Sequence, residues 1–236
     1  MFKNFFPNKI ISLKYSIIKK LLILMMLIFF VALAFALFFS PPDYIQGETV
    51  RIMYVHVPSS FIAISCFAII GLASILNLIF KIKIMPIIAK SLAPIGSVFT
   101  LISMVTGSLW GKPTWGVWWV WDARLTSMLI LFLFYIAYII VWKLISSYQT
   151  ANKISSILAI IGLLNLPIIK YSVDWWNTLH QPSSITLTSA PTIHFEMLIP
   201  LIIMLLGMVL FLLIIFLMKY KTELMKIKLK TGNKKY

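Results

Sequence analysis

The chain has 236 residues, 61% of them hydrophobic and only 11% charged. That composition excludes a water-bounded globule: the length is spent on membrane spans. The formal charge of +15, from 21 Lys and Arg against 6 Asp and Glu, would suggest nucleic acid in a soluble chain, but its distribution points to a bilayer instead.

A basic arm (Lys3, Lys9, Lys14, Lys19, Lys20) leads into a first apolar run, residues 21–39. This run is longer than the ~7–15 residues of a secretory core, and Ala34-Phe35-Ala36, which mimics a cleavage site, lies inside it. It reads as an uncleaved span. A second run, 61–80, holds the only cysteine, Cys66, which reads as a buried, inert thiol and excludes an intrachain disulfide or CxxC chemistry. Lys81, Lys83 and Lys90 separate it from a third run, 92–109. A tryptophan-rich loop, 110–126, leads to the fourth run, 125–141, followed by Lys143 and Lys153. The fifth run, 154–169, is short and carries Ser155, Ser156, Gly162, Asn165 and Pro167, which suit a helix packed against neighbours more than one facing lipid. The sixth is 197–218, and a tail with seven lysines, 219–236, closes the chain.

These runs predict an all-α integral membrane protein with six transmembrane helices in a single polytopic domain. Seventeen of the 21 basic residues fall in the arm, the second and fourth connections and the tail; Arg51, Lys112, Arg124 and Lys170 stand in the alternate segments. The positive-inside rule therefore places both termini in the cytoplasm and the loop between helices 3 and 4 outside. The lysine-rich tail reads as a topology anchor at anionic headgroups, with no nucleic-acid partner.

Chemistry concentrates on the outer side. Trp110, Trp115, Trp118, Trp119 and Trp121 crowd into twelve residues, beside Lys112, Pro113, Asp122 and Arg124. An interfacial belt needs only one or two Trp per helix end; five in one loop suggest a platform for a flat ligand that is polar at its edge. As helix, Trp115, Trp118, Trp119 and Asp122 share a face; as extended chain, Trp115, Trp119 and Trp121 do. Asp122 also stands where it can cap the fourth span. All three histidines (His56, His180, His194) and seven of eight tryptophans fall in outer segments. Haem suits such a surface: indoles cover the porphyrin, two imidazoles hold iron, and Arg51, Lys112 or Arg124 meet propionates. A quinone would stack on Trp without needing two histidines, and zinc would want a third or fourth ligand. No Gly-rich phosphate loop, HExxH, GxSxG or solenoid repeat occurs.

The loop WGKPTWGVWWVWDARLT (110–126) resembles the tryptophan-rich signature of the WWD-domain haem-handling proteins. Together with QGETVRIMYVHVP (46–58), APIGSVFTLISMVTGS (93–108) and NLPIIKYSVDWWNTLHQ (165–181), it is most similar to the haem exporter component C family of cytochrome c maturation system I. The likeness covers roughly residues 41–182. It implies six spans with the Trp loop outside, and b-type haem held non-covalently, in transit, by one His of the first outer loop and one of the third, here His56 and His180. It further implies that Trp110, Trp115, Trp118, Trp119, Trp121, Asp122 and Arg124 line the haem edge, with Arg51 and Lys112 as candidate propionate contacts. The implied partners are a membrane-anchored haem chaperone, subunits of an ATP-binding cassette complex and a small single-span helper. The implied location is a bacterial inner membrane, or the mitochondrial inner membrane. His194 matches no motif of the family. The expected function is haem delivery for c-type cytochrome biogenesis by an assembly factor that is not an enzyme. The alternative is a cytochrome b-like or quinone-reactive electron-transfer subunit, whose His pairs would lie deeper in the bundle. A channel would require polar residues in the spans that are not there.

Overall fold

A backbone crossing hydrocarbon can satisfy its N–H and C=O groups only internally, so each apolar run closes on itself as helix. The computed structural model describes residues 15–182, 184–185 and 190–232; Lys3, Lys9 and Lys14 of the basic arm and the last four residues of the tail lie outside the described residues. Among the described residues six helices are long and apolar enough to cross a membrane, as the sequence predicts. They are α1 (Tyr15–Ala34, prolonged by a π-helical turn Phe35–Phe39), α2 (Met53–Phe80, entered through a 3-10 turn Glu48–Ile52), α3 (Met85–Trp115), α4 (Ala123–Leu144), the pair α5 (Tyr148–Leu163) and α6 (Asn165–Trp175), and α7 (Phe195–Gly232).

The helices overrun the apolar segments, and at two places this changes the reading. The second helix starts before residue 61, so His56 is a helical residue and not a loop residue. The third continues past residue 109, so Trp110, Lys112 and Trp115 ride on its last turns. Hydropathy marks where hydrocarbon ends; the helix ends only where its backbone is capped. Here Gly116, at φ 78°, supplies the left-handed cap and its N–H donates to the Lys112 carbonyl at 3.0 Å, a conformation open to glycine. The fifth span is two helices stepped at Leu164. Pro167 has no N–H to offer the Leu163 carbonyl, and Asn165 Nδ2 donates across to the Ser127 carbonyl of α4 at 2.8 Å.

The antiparallel pair α2–α3 forms the centre, with α4, α5 and α7 packed around it and α1 lying mainly against α7. Close approach rests on small residues: a Cβ on Gly96 would fall onto the ring of Tyr135. Tyr135 is fully buried and its hydroxyl donates to the Ala63 carbonyl at 2.7 Å, joining α2, α3 and α4. Asn77 Nδ2 donates to Asn152 Oδ1 and Ser156 Oγ, tying α2 to α5. At one end of the bundle Lys90 of α3 and Lys226 of α7 pair with Glu223, and Lys90 lies over the Trp142 ring. The histidines and the remaining tryptophans gather at the other end.

Candidate functional site

The connection from α1 to α2 is a tight, hydrogen-bonded loop. Asp43 Oδ1 accepts from the N–H groups of Ile45 and Gln46 at 2.9 and 2.8 Å, and Gly47 adopts φ 57°. This turn presents Gln46, whose Oε1 accepts from Trp110 Nε1 at 2.9 Å. Trp110 in turn packs edge-on to His56, with ring centroids 5.8 Å apart.

His56, in the first turns of α2, sits on one turn of α3. Its Nδ1 lies 3.0 Å from the Ser103 carbonyl and 3.2 Å from Thr106 Oγ1. A carbonyl can only accept, so Nδ1 carries the proton and donates, leaving the Nε2 lone pair free. Gly107 makes the room: a Cβ there would stand 3.0 Å from His56 Cε1.

His180 arrives from the connection between α6 and α7. Its ring centroid lies 6.4 Å from that of His56 and 6.2 Å from that of Trp115. Each imidazole is thus flanked by one indole from the last turns of α3. Arg124, at the start of α4, reaches His180 Nδ1 at 3.0 Å, Ser172 Oγ at 3.3 Å and the Lys170 carbonyl at 3.2 Å. His180 Nδ1 is also 3.0 Å from the carbonyl of Gln181. Burial lowers the imidazole of His180 below the usual histidine range; Arg124 adds to this, while the Gln181 carbonyl and Asp122 partly offset it. A neutral ring is the form that binds metal.

The remaining loop, residues 116–122, is neither of the two regular conformations weighed above throughout. It is irregular after Gly116, and Trp119 meets Trp121 edge-to-face at 5.8 Å, the pairing expected of extended chain. Trp118 and Trp121 are exposed. Asp122 caps α4, accepting from the Leu125 N–H at 2.8 Å. Its other oxygen, Oδ2, and Trp119 Nε1 are buried without a partner among the described residues; such atoms can be satisfied by the polar edge of a bound molecule. Lys112 donates to the Gly116 carbonyl at 2.8 Å and lies over Trp118. Arg51 pairs with Glu48 and donates to the carbonyls of Ala36 and Ser40. Both cations are engaged with backbone carbonyls that a propionate would have to displace. His194 stands apart, beside Glu196.

A metal–imidazole bond is about 2 Å, so two imidazoles facing each other across one ion have ring centres about 6 Å apart. The His56–His180 separation of 6.4 Å meets that requirement. Among the described residues no group of three or more His, Cys, Asp or Glu could hold a metal. Two imidazoles with flanking indoles suit haem iron, whose other four ligands come from the porphyrin.

Residues 2–235 match the family described as Heme exporter protein C. The chain belongs to the Heme exporter protein C family. Heme exporter protein C of Bradyrhizobium diazoefficiens is 41% identical over 187 residues, 79% of this chain and 71% of that protein. Heme exporter protein C of Haemophilus influenzae is 42% identical over 196 residues, 83% of this chain and 80% of that protein. A relative from Marchantia polymorpha, described as a ccmC-like mitochondrial protein of cytochrome c biosynthesis, is 45% identical over 170 residues, 72% of each chain.

For this member of the Heme exporter protein C family, the candidates His56, His180, Trp110, Trp115, Asp122 and Arg124 come together at one end of the bundle. Trp118 and Trp121 line its outer surface, and Arg51 and Lys112 are tied down beside it. Sequence reading missed Gln46, Ser103, Thr106 and Gly107. The one available signal was that Gln46 and the other three lie within the segments quoted for the resemblance.

Proposed function

We propose that this chain holds haem at the histidine–tryptophan end of its bundle, with His56 and His180 as the two axial ligands to iron. The coarser role rests on its family: it is a multi-pass inner-membrane component that handles haem for cytochrome c biogenesis. One observation carries the finer reading. Two imidazoles from distant segments stand 6.4 Å apart, each against an indole.

In this reading haem is cargo, held non-covalently and supplying the iron that the imidazoles ligate. His56 offers Nε2 because Ser103 occupies Nδ1. Trp110 and Trp115 flank the ligands, while Trp118, Trp119 and Trp121 with Asp122 and Arg124 border the haem edge. The chain transforms no substrate itself. Lysine bias supports an outer, periplasmic position for this end, or the equivalent side of a mitochondrial inner membrane. There the exposed Trp118 and Trp121 are available to a membrane-anchored haem chaperone. Subunits of an ATP-binding cassette complex and a small single-span helper complete the assembly.

The test is haem co-purification with the full chain in detergent. His56→Ala and His180→Ala each lower haem occupancy; wild-type occupancy and spectra in both would overturn the assignment.

A further inference from the structure

The two imidazoles are held in different ways. His56 belongs to a helix and is seated on the turn of α3 that carries Ser103, Thr106 and Gly107. Its Nδ1–H donates to the Ser103 carbonyl at 3.0 Å, and Ser60, one turn on, donates to the His56 carbonyl and accepts from the Ser103 hydroxyl. Gly107 leaves space for the ring and no more, and Trp110, pinned by Gln46, closes the side. The two oxygens at Nδ1, the Ser103 carbonyl and Thr106 Oγ1, favour the tautomer with a free Nε2.

His180 is outside any helix, and its Nδ1 is contested. An arginine N–H can only donate and a carbonyl can only accept. Arg124 Nη1 and the Gln181 carbonyl both lie 3.0 Å from that nitrogen, so the ring satisfies one at a time. With the proton on Nδ1 it serves Gln181 and leaves Nε2 free for iron. With the proton on Nε2 it accepts from Arg124 and has no lone pair at the ligating nitrogen. The two contacts define a ligating and a non-ligating form of the same side chain.

We propose that the axial positions are unequal: His56 is the fixed ligand, and His180 is the exchangeable one, claimed by Arg124 whenever it leaves the iron. Release then breaks the iron–His180 bond first and opens the face on that side, while His56 keeps the haem in place for a receiving partner. The inference rests on the haem-binding reading above.

Carbon monoxide is the probe, because it takes one axial position of ferrous haem and its stretching frequency reports the pocket around it. The haem-loaded full chain in detergent is reduced and exposed to the gas, beside His56→Ala and His180→Ala. The wild-type C–O band matches that of His180→Ala and differs from that of His56→Ala. A match to His56→Ala, or two bands of comparable size in the wild type, overturns the proposal, as does loss of haem from His180→Ala while His56→Ala keeps it. If His56→Ala purifies without haem, the match to His180→Ala decides alone. A second measurement keeps both ligands: haem transfer to apomyoglobin slows several-fold in Arg124→Gln, and unchanged or faster transfer overturns the proposal. If neither histidine substitution alters the spectrum before carbon monoxide is added, the haem reading itself has failed, not the ranking of its ligands.

Discussion

His56 owes its ligating form to a helix that is otherwise largely apolar. A carbonyl, a hydroxyl and the missing side chain of Gly107 together fix its ring. Gly107→Ala forces the imidazole aside, and since displaced outer-shell support costs metal sites about tenfold or more in affinity, haem affinity measured by titration falls by about that factor. Unaltered affinity would show that the ring has room to spare. His180 sets the pH response. Its folded-state value lies below the usual histidine value because of burial first, so the folded form prefers the neutral ring. Haem retention is therefore full above the ordinary histidine range and is lost as pH falls through the lowered value, where protonation removes the lone pair. A spectrophotometric pH titration checks this, and retention that instead weakened as pH rose would contradict it. The tryptophan cluster and the three histidines stood out as candidates by residue type and position, and the pairing of His56 with His180 came from the family resemblance. Gln46, Ser103, Thr106 and Gly107 were not legible, because a serine carbonyl or a small residue acquires its role only from the register of α2 against α3.

Helix ends mattered more than helix existence. Six apolar runs disclosed six spans, because hydrocarbon leaves the backbone no alternative. Their limits followed capping instead: Gly116 carries α3 out to Trp115, and Asp122 starts α4. The break at Leu164 was not anticipated: Asn165 and Pro167 were read as residues of one packed helix, whereas Pro167 withholds the N–H that would continue it. Between the helices the seven-residue connection is short: Trp110 and Trp115 ride on the last turns of α3, and Trp118, Trp119 and Trp121 stand in the irregular chain that the two caps hold at either end. Asp122→Ala removes the cap and lowers stability by about 1 kcal/mol, measured by thermal unfolding of the detergent-solubilised protein, whereas Asp122→Asn, which retains an accepting oxygen, stays close to wild type. Equal losses for both would mean that the negative charge, not the cap, is what α4 requires.

At the scale of the whole molecule, charge and chemistry are segregated to opposite ends of one bundle. The cation cluster around Glu223 closes one end, and the imidazole pair occupies the other. Cys66 is buried, so the unmodified chain is inert to a membrane-impermeant maleimide. Tyr44→Cys, at a position 94% exposed, reacts in intact cells, and Ser146→Cys reacts only after permeabilisation; the reverse pattern would invert the topology. The lysines carry the expectation of sidedness that this labelling tests, whereas the approach of His56 to His180, 124 residues apart in sequence, became visible only in the packed bundle. The most direct test of that approach is the electron paramagnetic resonance spectrum of the ferric, haem-loaded chain. The wild type gives a low-spin, bis-imidazole signal, and His56→Ala and His180→Ala each convert it to high spin or lose the haem; a low-spin signal identical to wild type in either variant would contradict the shared axial site.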